Sequence, residues 1–530
     1  MLFNSVEFLI FLPIVFAIYW LLRNHLKLQN LFVVLASYVF YGWWDWRFLI
    51  LIAFTSLCSY ASGILIDRGK QKHGIPQSPT SDSPSIDPQS AREQAPGQTT
   101  AQSCAADTLQ DTSKKHGCTI LSKTNKNINS AKAWMITNIV INLGILAVFK
   151  YYDFFVSEFG AMFGISTESL LLRIILPVGI SFYTFQALSY SIDVYRGNIK
   201  PTRDIIAFFA FISFFPQLVA GPIERATNLL PQFLQKRTFN YEQGVDGMRQ
   251  ILWGLFKKIV IADNCAAYVD QVWATYDTQA GSTLLLAAIL FTFQIYGDFS
   301  GYSDIAIGTA KLFGIKLMRN FNNPYFSRDI AEFWRRWHIS LTTWFRDYVY
   351  IPLGGSRVNK WKIVRNTFVI FLLSGFWHGA NWTFIAWGAY HAVLFLPLIL
   401  LGMNRKYTNQ VAEGRWLPTW KEAGQILLTF MLAVVGWIIF RATSISEAWS
   451  IMKGICDVSL FSMPMVIVGL KRTLFFIAVM LVIEWIDRDK EHALSLTRLP
   501  QWARFIVLYG LILIMLEYMG HSQSFIYFQF

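Results

Sequence analysis

The chain is dominated by apolar runs that are long enough to cross a lipid bilayer. A helix needs about 20 apolar residues to span the hydrocarbon core. Runs on that scale recur near residues 6–22, 29–44, 48–66, 133–151, 170–192, 205–220, 248–270, 283–307, 366–400, 424–440, 465–486 and 503–519. The pattern predicts an all-α, polytopic membrane protein of about 10–12 membrane segments, which form one domain over residues 1–530.

Basic residues at the ends of these runs predict the orientation, because cytoplasmic loops carry an excess of Lys and Arg. No Lys or Arg precedes the run 6–22, so we expect an uncleaved first span rather than a signal peptide. Arg23 and Lys27 indicate that the first loop is cytoplasmic, and the long loop 67–132 has basic residues at both ends. Residues 152–171 contain no Lys or Arg, which predicts an outer loop.

The run 205–220 breaks this alternation. Basic residues follow it on the side where the preceding loop already lies, and Pro216, Gly221 and Pro222 interrupt it. We therefore expect a re-entrant segment that enters the membrane and returns to the same side. Non-helical backbone at that depth occurs only where protein encloses it or where it lines a cavity, so this segment is a first indication of a site.

Composition excludes an ordinary soluble enzyme. The chain is 54% hydrophobic and 15% charged, whereas soluble domains carry about 25% charge. Its formal net charge is nevertheless +13, and residues 311–365 alone contain eleven Lys and Arg against three acids, which predicts a cytoplasmic-face segment. The basic residues lie between apolar runs, which favours an anionic membrane surface or substrate over nucleic acid. Five cysteines without ligand-like spacing indicate neither a disulfide framework nor a structural zinc site.

Residues 74–130 differ in kind from the rest of the chain. They contain no Phe, Trp, Tyr, Val or Met and hold five of the 17 prolines. Such a segment cannot bury enough apolar surface to fold by itself. We expect a disordered insertion without a catalytic role inside the long cytoplasmic loop 67–132.

The basic block contains one histidine among Trp and Arg residues, in the sequence Phe-Trp-Arg-Arg-Trp-His at 333–338. A helix over residues 328–348 would place five apolar side chains on one stripe. These are Trp334, Trp337, Leu341, Trp344 and Tyr348. An interfacial helix, with Trp at the lipid headgroups and Arg toward anionic lipid, explains them. It does not require His338, which lies close to the apolar stripe.

A second histidine interrupts the apolar run that begins at residue 366. At about 1.5 Å per residue, the stretch before His378 reaches about half-way through the hydrocarbon. An ionisable residue at that depth is costly, which indicates a functional site, although a histidine hydrogen-bonded between helices is an alternative. A neutral imidazole in an apolar tunnel can take a proton from an incoming hydroxyl, as in general-base catalysis of acyl transfer. Two histidines without a nearby carboxylate make a poor metal site, so no metal is predicted.

Five motifs together resemble the membrane-bound O-acyltransferase (MBOAT) family. They are Pro-Gln-Leu-Val-Ala-Gly-Pro at 216–222, Gly-Asp-Phe-Ser-Gly-Tyr-Ser-Asp at 297–304, Asn-Phe-Asn-Asn-Pro-Tyr-Phe at 320–326, Phe-Trp-Arg-Arg-Trp-His at 333–338 and Phe-Trp-His-Gly at 376–379. Within the family, the chain most resembles the bacterial branch that contains the alginate O-acetyltransferase membrane subunit. Residues 1–5 and 525–530 are also similar to that branch, and the insertion 74–130 is longer than the linker expected there.

The resemblance implies a ring of tilted helices with re-entrant pieces around a central tunnel in the bacterial inner membrane. The family's near-invariant histidine corresponds to His378 and its second histidine to His338. The implied acyl donor is cytoplasmic acetyl-CoA, with no bound cofactor. The acetyl group would pass to hydroxyls of an extracytoplasmic polysaccharide such as alginate, through a separate periplasmic or membrane-anchored transferase.

Six further residues are predicted to bind substrate. They are Arg335, Arg336, Trp337, Trp377, Asn381 and Asp304. CoA is a polyanion, and Arg binds phosphate in bidentate geometry, so the two arginines are candidate phosphate contacts. Anionic lipid headgroups explain them equally well.

Two other functions remain open at this point. The same fold could transfer D-alanine or another acyl group from a carrier protein to teichoic acid or another cell-surface polymer. A polysaccharide flippase or transporter without chemistry is the second alternative. Transporters often show paired repeats, and the segments around His338 and His378 have no second copy in the chain.

Overall fold

The computed structural model describes residues 1–71, 117–219, 221–496, 499–518, 523, 525 and 526, without the side chains of residues 117–129. These residues form helices and no β-strand, which confirms the all-α class. The α-helices are α1 (Val6–Leu21), α2 (Leu26–Asp45), α3 (Phe48–Gln71), α4 (Gly117–Leu146), α5 (Tyr152–Phe163), α6 (Ile180–Arg196), α7 (Ile205–Ser213), α8 (Phe215–Leu218), α9 (Ala226–Leu234), α10 (Tyr241–Phe256), α11 (Asp263–Trp273), α12 (Gly281–Leu312), α13 (Ile330–Arg336), α14 (Ile339–Phe345), α15 (Lys360–His378), α16 (Trp382–Leu400), α17 (Trp420–Arg441), α18 (Ile445–Ile455), α19 (Leu470–Ile486) and α20 (Gln501–Tyr518). Three π-helical turns lie at Ala147–Tyr151, Lys257–Ala262 and Arg346–Tyr350.

Six helices among the described residues are long and apolar enough to span a membrane. They are Phe48–Gln71, Ser130–Phe163, Gly281–Leu312, Trp382–Leu400, Trp420–Arg441 and Gln501–Tyr518. Each of the other predicted runs also contains helix, in shorter or less apolar pieces. The polytopic character is therefore confirmed, and the count of 10–12 segments stays a prediction.

In two of the predicted apolar runs, the helix is shorter than the run itself. The run 170–192 becomes helical only at Ile180, because Gly179 takes a left-handed conformation with φ of 73° and Pro177 precedes it. The run 205–220 is broken as expected: α7 ends at Ser213, and only the short α8 follows before residues 221–225, which are not helical.

The long loop between α3 and α4 contains the predicted insertion 74–130. Residues 74–116 lie outside the described residues, so the prediction of disorder there stays a prediction. Helix α4 begins at Gly117, inside the predicted insertion. All five prolines of the insertion precede that point, so none of them interrupts the helix.

Helix α12 lies at the centre of the fold. In its most apolar stretch of 18 residues, 83% is buried inside the protein, a far larger share than in the other candidate spans. Small residues allow α10 to pack closely against it: a Cβ on Gly301 would lie 2.8 Å from the Gly254 carbonyl oxygen. Close approach of backbones at glycines is typical of helix packing in membranes. The motif at 297–304 is therefore part of the packed core.

Helices α15 and α16 form an antiparallel hairpin that ends beside His378. The connection is residues 379–381, and two glycines bring the backbones together. A Cβ on Gly375 would overlap the Phe384 carbonyl oxygen, and one on Gly388 would overlap the Phe371 carbonyl oxygen. The spacing of this hairpin thus determines where the last turn of α15 lies.

Replacement of Gly375 by Ala is expected to lower the free energy of unfolding by about 1–3 kcal/mol, because the added methyl group overpacks a backbone contact. The unfolding midpoint of the detergent-solubilised protein, followed by tryptophan fluorescence, measures the effect. Gly424→Ala is the matched control, since it lies in α17 with no heavy atom within 4 Å of its Cβ position. Equal midpoints for Gly375→Ala and the wild type would contradict the packing argument.

The predicted continuous helix over 328–348 is wrong. The structure has two short helices, α13 and α14, which are separated at Trp337 and His338, and a π-helical turn from Arg346. The helix breaks because the Ile339 N–H donates to the backbone carbonyl oxygen of Asn320, at 2.8 Å, instead of to a carbonyl oxygen of its own helix. His338 takes a left-handed conformation with φ of 43°. The helix therefore restarts in a new direction at His338.

The predicted interfacial stripe is also wrong. Trp334, Trp337, Leu341 and Trp344 are each at most 7% exposed, so they pack inside the protein rather than at lipid headgroups. Trp344 stacks on Phe185 at a ring-centroid distance of 3.9 Å. Trp334, Trp337 and Trp344 therefore belong to a buried aromatic core.

Candidate active site

His338 is held in the break between α13 and α14 by one hydrogen-bonded nitrogen. Its Nδ1 lies 3.1 Å from Asn320 Oδ1, which also accepts from Ser340 Oγ at 2.9 Å. Phe299 of α12 packs edge-on against the imidazole at 4.6 Å. The Nε2 atom is buried and has no hydrogen-bond partner among the described residues. The arrangement orients the ring and leaves Nε2 available to a reacting group.

His378 is the last residue of α15 and lies in an aromatic enclosure. It is 6% exposed. Trp387 of α16 and Phe440 of α17 each make edge contacts with its ring at 5.2 Å. Aromatic side chains of two neighbouring helices therefore enclose the imidazole.

The ring of Trp377 contacts the rings of both histidines. Its ring centroid lies 6.0 Å from that of His338 and 4.9 Å from that of His378. The structure thus brings together the two histidines that sequence reasoning selected separately, on α15 and between two other helices. The predicted substrate-binding residue Trp377 occupies the position between them.

Several indole N–H groups near this pair are unused within the described part of the chain. The Nε1 atoms of Trp377 and Trp387 are buried and have no hydrogen-bond partner among the described residues. Both indole rings contact the His378 ring. Such donors are the groups that stabilise an oxygen on which negative charge develops during acyl transfer.

Two cavities lie near the histidine pair, and they have different lining residues. A cavity of about 190 Å³ is lined by Trp377 and His378 together with Lys150 and the chain before α6. A smaller cavity of about 20 Å³ is lined by Asn320, which holds His338, and by Lys257, Asp304 and other polar residues. The two cavities share no lining residue. His378 therefore faces the larger cavity, and His338 is linked to the smaller one through its hydrogen bond to Asn320.

The other predicted substrate-binding residues are in several places. Asp304 lines the smaller cavity, where it forms an ion pair with Lys257 at 2.6 Å. Asn381 caps α16 and lines a third cavity of about 370 Å³ beside the α15–α16 connection. Trp337 is 2% exposed and packs against Trp437 at 4.8 Å. Whether these residues bind substrate stays a prediction.

The two arginines differ from each other. Arg336 is tied to the chain itself by an ion pair with Glu332 at 2.8 Å. Arg335 is exposed and donates to the backbone oxygens of Asn404 and Tyr407. Of the two, Arg335 is the one open to a solvent-borne anion, and its phosphate contact stays a prediction.

Sequence reasoning overlooked an ion cluster that anchors residues near the end of the chain. Lys258 lies 2.8 Å from each of two carboxylates, Asp263 and Asp298, and is 1% exposed. Asp298 also accepts from the backbone N–H of Ile526 at 2.7 Å, and Phe525 packs on Tyr302 at 4.1 Å. Acids and a lysine inside apolar runs were the available signal.

A third buried histidine was also overlooked. His391 of α16 is 1% exposed and packs against Trp387, the residue that contacts His378. Its place inside the run 366–400 was the same signal that selected His378. The described residues contain no group of three or more His, Cys, Asp or Glu that would hold a metal ion.

Comparison with known proteins identifies the family of this polytopic helical chain. Residues 200–409 match the model of the MBOAT, membrane-bound O-acyltransferase family, and this segment contains both His338 and His378. The chain is 38% identical to the Probable alginate O-acetylase AlgI of Pseudomonas aeruginosa, over 85% of the chain and 74% of that protein. It is 32% identical to the Peptidoglycan O-acetyltransferase of Helicobacter pylori, over 86% of the chain and 79% of that protein.

A more distant similarity covers about half of the chain. The Teichoic acid D-alanyltransferase of Bacillus subtilis is 31% identical over 50% of the chain and 68% of that protein. The helical fold and these similarities define a multi-pass, membrane-integral O-acyltransferase that acts on polysaccharide. The chain belongs to the membrane-bound O-acyltransferase family, with similarity to its alginate O-acetylases over most of its length.

Proposed function

We propose that the protein takes the acetyl group of acetyl-CoA at the cytoplasmic face of the bacterial inner membrane and delivers it outward, to a polysaccharide hydroxyl by way of a separate periplasmic or membrane-anchored transferase. The single observation that carries this proposal is the position of Trp377 between His338 and His378, beside a cavity of about 190 Å³ that Trp377 and His378 line.

In the proposed reaction, His378 acts at the acyl centre. Its neutral imidazole takes the proton of the acceptor hydroxyl while the hydroxyl oxygen attacks the thioester carbonyl carbon. The carbon–sulfur bond then breaks, and the leaving CoA sulfur receives the proton from the imidazolium. Buried indole N–H groups, including that of Trp377, are suited to bind the oxyanion of the tetrahedral intermediate.

His338 supports the reaction from the donor side. Asn320 holds its Nδ1, so the ring presents Nε2 in a defined direction. The basic block 311–365 favours the approach of the CoA polyanion. Arg335 is exposed, lies in that block three residues before His338, and is our candidate phosphate contact.

Transfer of D-alanine from a carrier protein is the second candidate, because two Teichoic acid D-alanyltransferases are similar to about half of the chain. The alginate and peptidoglycan O-acetyltransferases are similar over a larger part, which favours acetyl. A flippase without chemistry finds no support in a family of acyltransferases.

Membranes that contain the protein are expected to release free CoA from acetyl-CoA and to acquire alkali-labile radiolabel from [14C]acetyl-CoA. Empty-vector membranes provide the background, and [14C]D-alanyl carrier protein is the competing donor. Label from the D-alanyl donor alone would overturn the acetyl assignment in favour of the second candidate. No label from either donor, in membranes with native acceptor polysaccharide, would overturn the proposed function.

A further inference from the structure

The last turn of α15 ends in backbone carbonyl groups that its own helix cannot satisfy. The final four carbonyls of an α-helix have no intrahelical donor. In α15 three of them belong to Phe376, Trp377 and His378, and side chains of another helix bind all three. Tyr151 OH donates to the Phe376 oxygen at 2.9 Å. Lys150 Nζ donates to the oxygens of Trp377 and His378 at 2.7 and 2.9 Å.

Two adjacent residues make these contacts because the helix locally widens. Lys150 and Tyr151 lie in the π-helical turn Ala147–Tyr151, between α4 and α5. Turns of this kind inside α-helices frequently mark functional sites. The Tyr151 ring also stacks on Phe376 at a centroid distance of 4.1 Å and an interplanar angle of 14°. The two residues therefore bind α15 through both hydrogen bonds and an aromatic contact.

Lys150 has an unusual set of partners. No carboxylate among the described residues forms an ion pair with it; its partners are the two carbonyl oxygens and, at 5.9 Å, the Trp377 ring. A cation is favourable at the negative end of a helix dipole. A lysine within an apolar membrane helix is costly, so its presence there indicates a role.

Lys150 also lies at the cavities beside the reacting histidine. It lines the cavity of about 190 Å³ that contains His378 and the cavity of about 370 Å³ beside Asn381. A shift of its side chain would move the wall of both cavities together with the end of α15.

We propose that Lys150 and Tyr151 are positioning residues that fix the last turn of α15 and thereby aim His378 at the acyl group. They act through the backbone of the residues that they bind rather than by contact with the donor. The proposal rests on the proposed function, because it assigns His378 a role in acyl transfer.

The test compares Lys150→Met, Lys150→Arg and Tyr151→Phe in the full-length protein, with kcat and KM for acetyl-CoA normalised to folded protein. Lys150→Met is expected to lower kcat at least about tenfold with little change in KM, because an error of about 1 Å in a catalytic group can cost about 100-fold. Lys150→Arg keeps the charge and several N–H donors, so it is expected to retain most of the lost activity. Tyr151→Phe removes one hydrogen bond and keeps the ring, so its loss is expected to be smaller.

Lys132→Met is the matched control, since Lys132 is exposed on the same helical segment Ser130–Phe163. It is expected to leave kcat unchanged. Wild-type kcat per folded molecule in Lys150→Met would overturn the proposal. Equal losses in Lys150→Met and Lys150→Arg would also overturn it, because the preserved charge and donors would then have no effect.

A second measurement separates this proposal from the proposed function. The rate at which diethyl pyrocarbonate modifies His378 is read by peptide mass spectrometry and needs no acyl donor. Lys150→Met is expected to change that rate at least about threefold, with the rate at exposed His25 as internal reference. If wild-type protein transfers no acetyl group but the His378 rate changes, the proposed function fails and the positioning contact stands. An unchanged His378 rate would overturn the positioning role itself.

Discussion

Replacement of His378 by Asn is expected to reduce acetyl transfer by about two to four orders of magnitude, the range that general acid–base catalysis contributes. Asn fills a similar space and retains hydrogen-bonding groups, but it cannot take a proton from the acceptor hydroxyl. Expression and membrane insertion are expected to stay intact, because His378 is the last residue of its helix and lines a cavity of about 190 Å³. His378→Ala is expected to show the same loss.

The measurement is [14C]acetyl transfer from acetyl-CoA in membranes with equal amounts of folded protein. His391→Asn is the matched control: it removes another buried histidine of the same aromatic cluster, one that lines none of the cavities described above. We expect His391→Asn to retain activity within about tenfold of wild type. Normal acetylation in either His378 variant would contradict the assignment of His378.

Replacement of His338 by Asn is expected to lower kcat by about 10- to 100-fold while the fold is preserved. His338 has a φ of 43°, and Asn is one of the few residue types that tolerate the left-handed region. The substitution therefore removes the imidazole without forcing the break between α13 and α14 to change. The loss is expected to be smaller than that at His378, because His338 supports the donor rather than accepting the hydroxyl proton.

Asn320→Leu provides a companion variant that keeps the imidazole but removes the side-chain oxygen that holds His338 Nδ1. Its kcat is expected to lie between those of the wild type and His338→Asn. If His338→Asn turns over acetyl-CoA at the wild-type rate, His338 has no part in the reaction and its hydrogen bond to Asn320 is purely structural.

Much of the fold follows from the apolar runs, since each of them contains helix. The breaks were predictable only where the residues that cause them lie within the run. Pro216 interrupts 205–220 from inside, and the interruption was expected. The helix over 328–348 was wrongly expected to be continuous. The Ile339 N–H donates to the backbone oxygen of Asn320, and Asn320 lies outside the segment 328–348. Periodicity within a segment carries no information about a competing hydrogen bond from elsewhere.

The candidate site, too, was predictable from the sequence only in part. His338 and His378 stand out in the sequence, because ionisable groups are costly in apolar surroundings. Their contact through Trp377 needs the tertiary structure. Lys150 lies at the end of a predicted run, where it reads as an ordinary flanking cation. Only the packing of its π-helical turn against α15 shows that its partners are backbone oxygens beside His378.

The most direct test of the central claim is acetyl transfer across sealed, inside-out vesicles that carry the native acceptor and partner proteins. With [14C]acetyl-CoA added only to the outer medium, which corresponds to the cytoplasm, wild-type vesicles are predicted to accumulate alkali-labile label in their lumen. Vesicles with His378→Asn are predicted to show background label. Equal luminal label in the variant, or label confined to the outer face in the wild type, would contradict an acyl transfer that passes through His378.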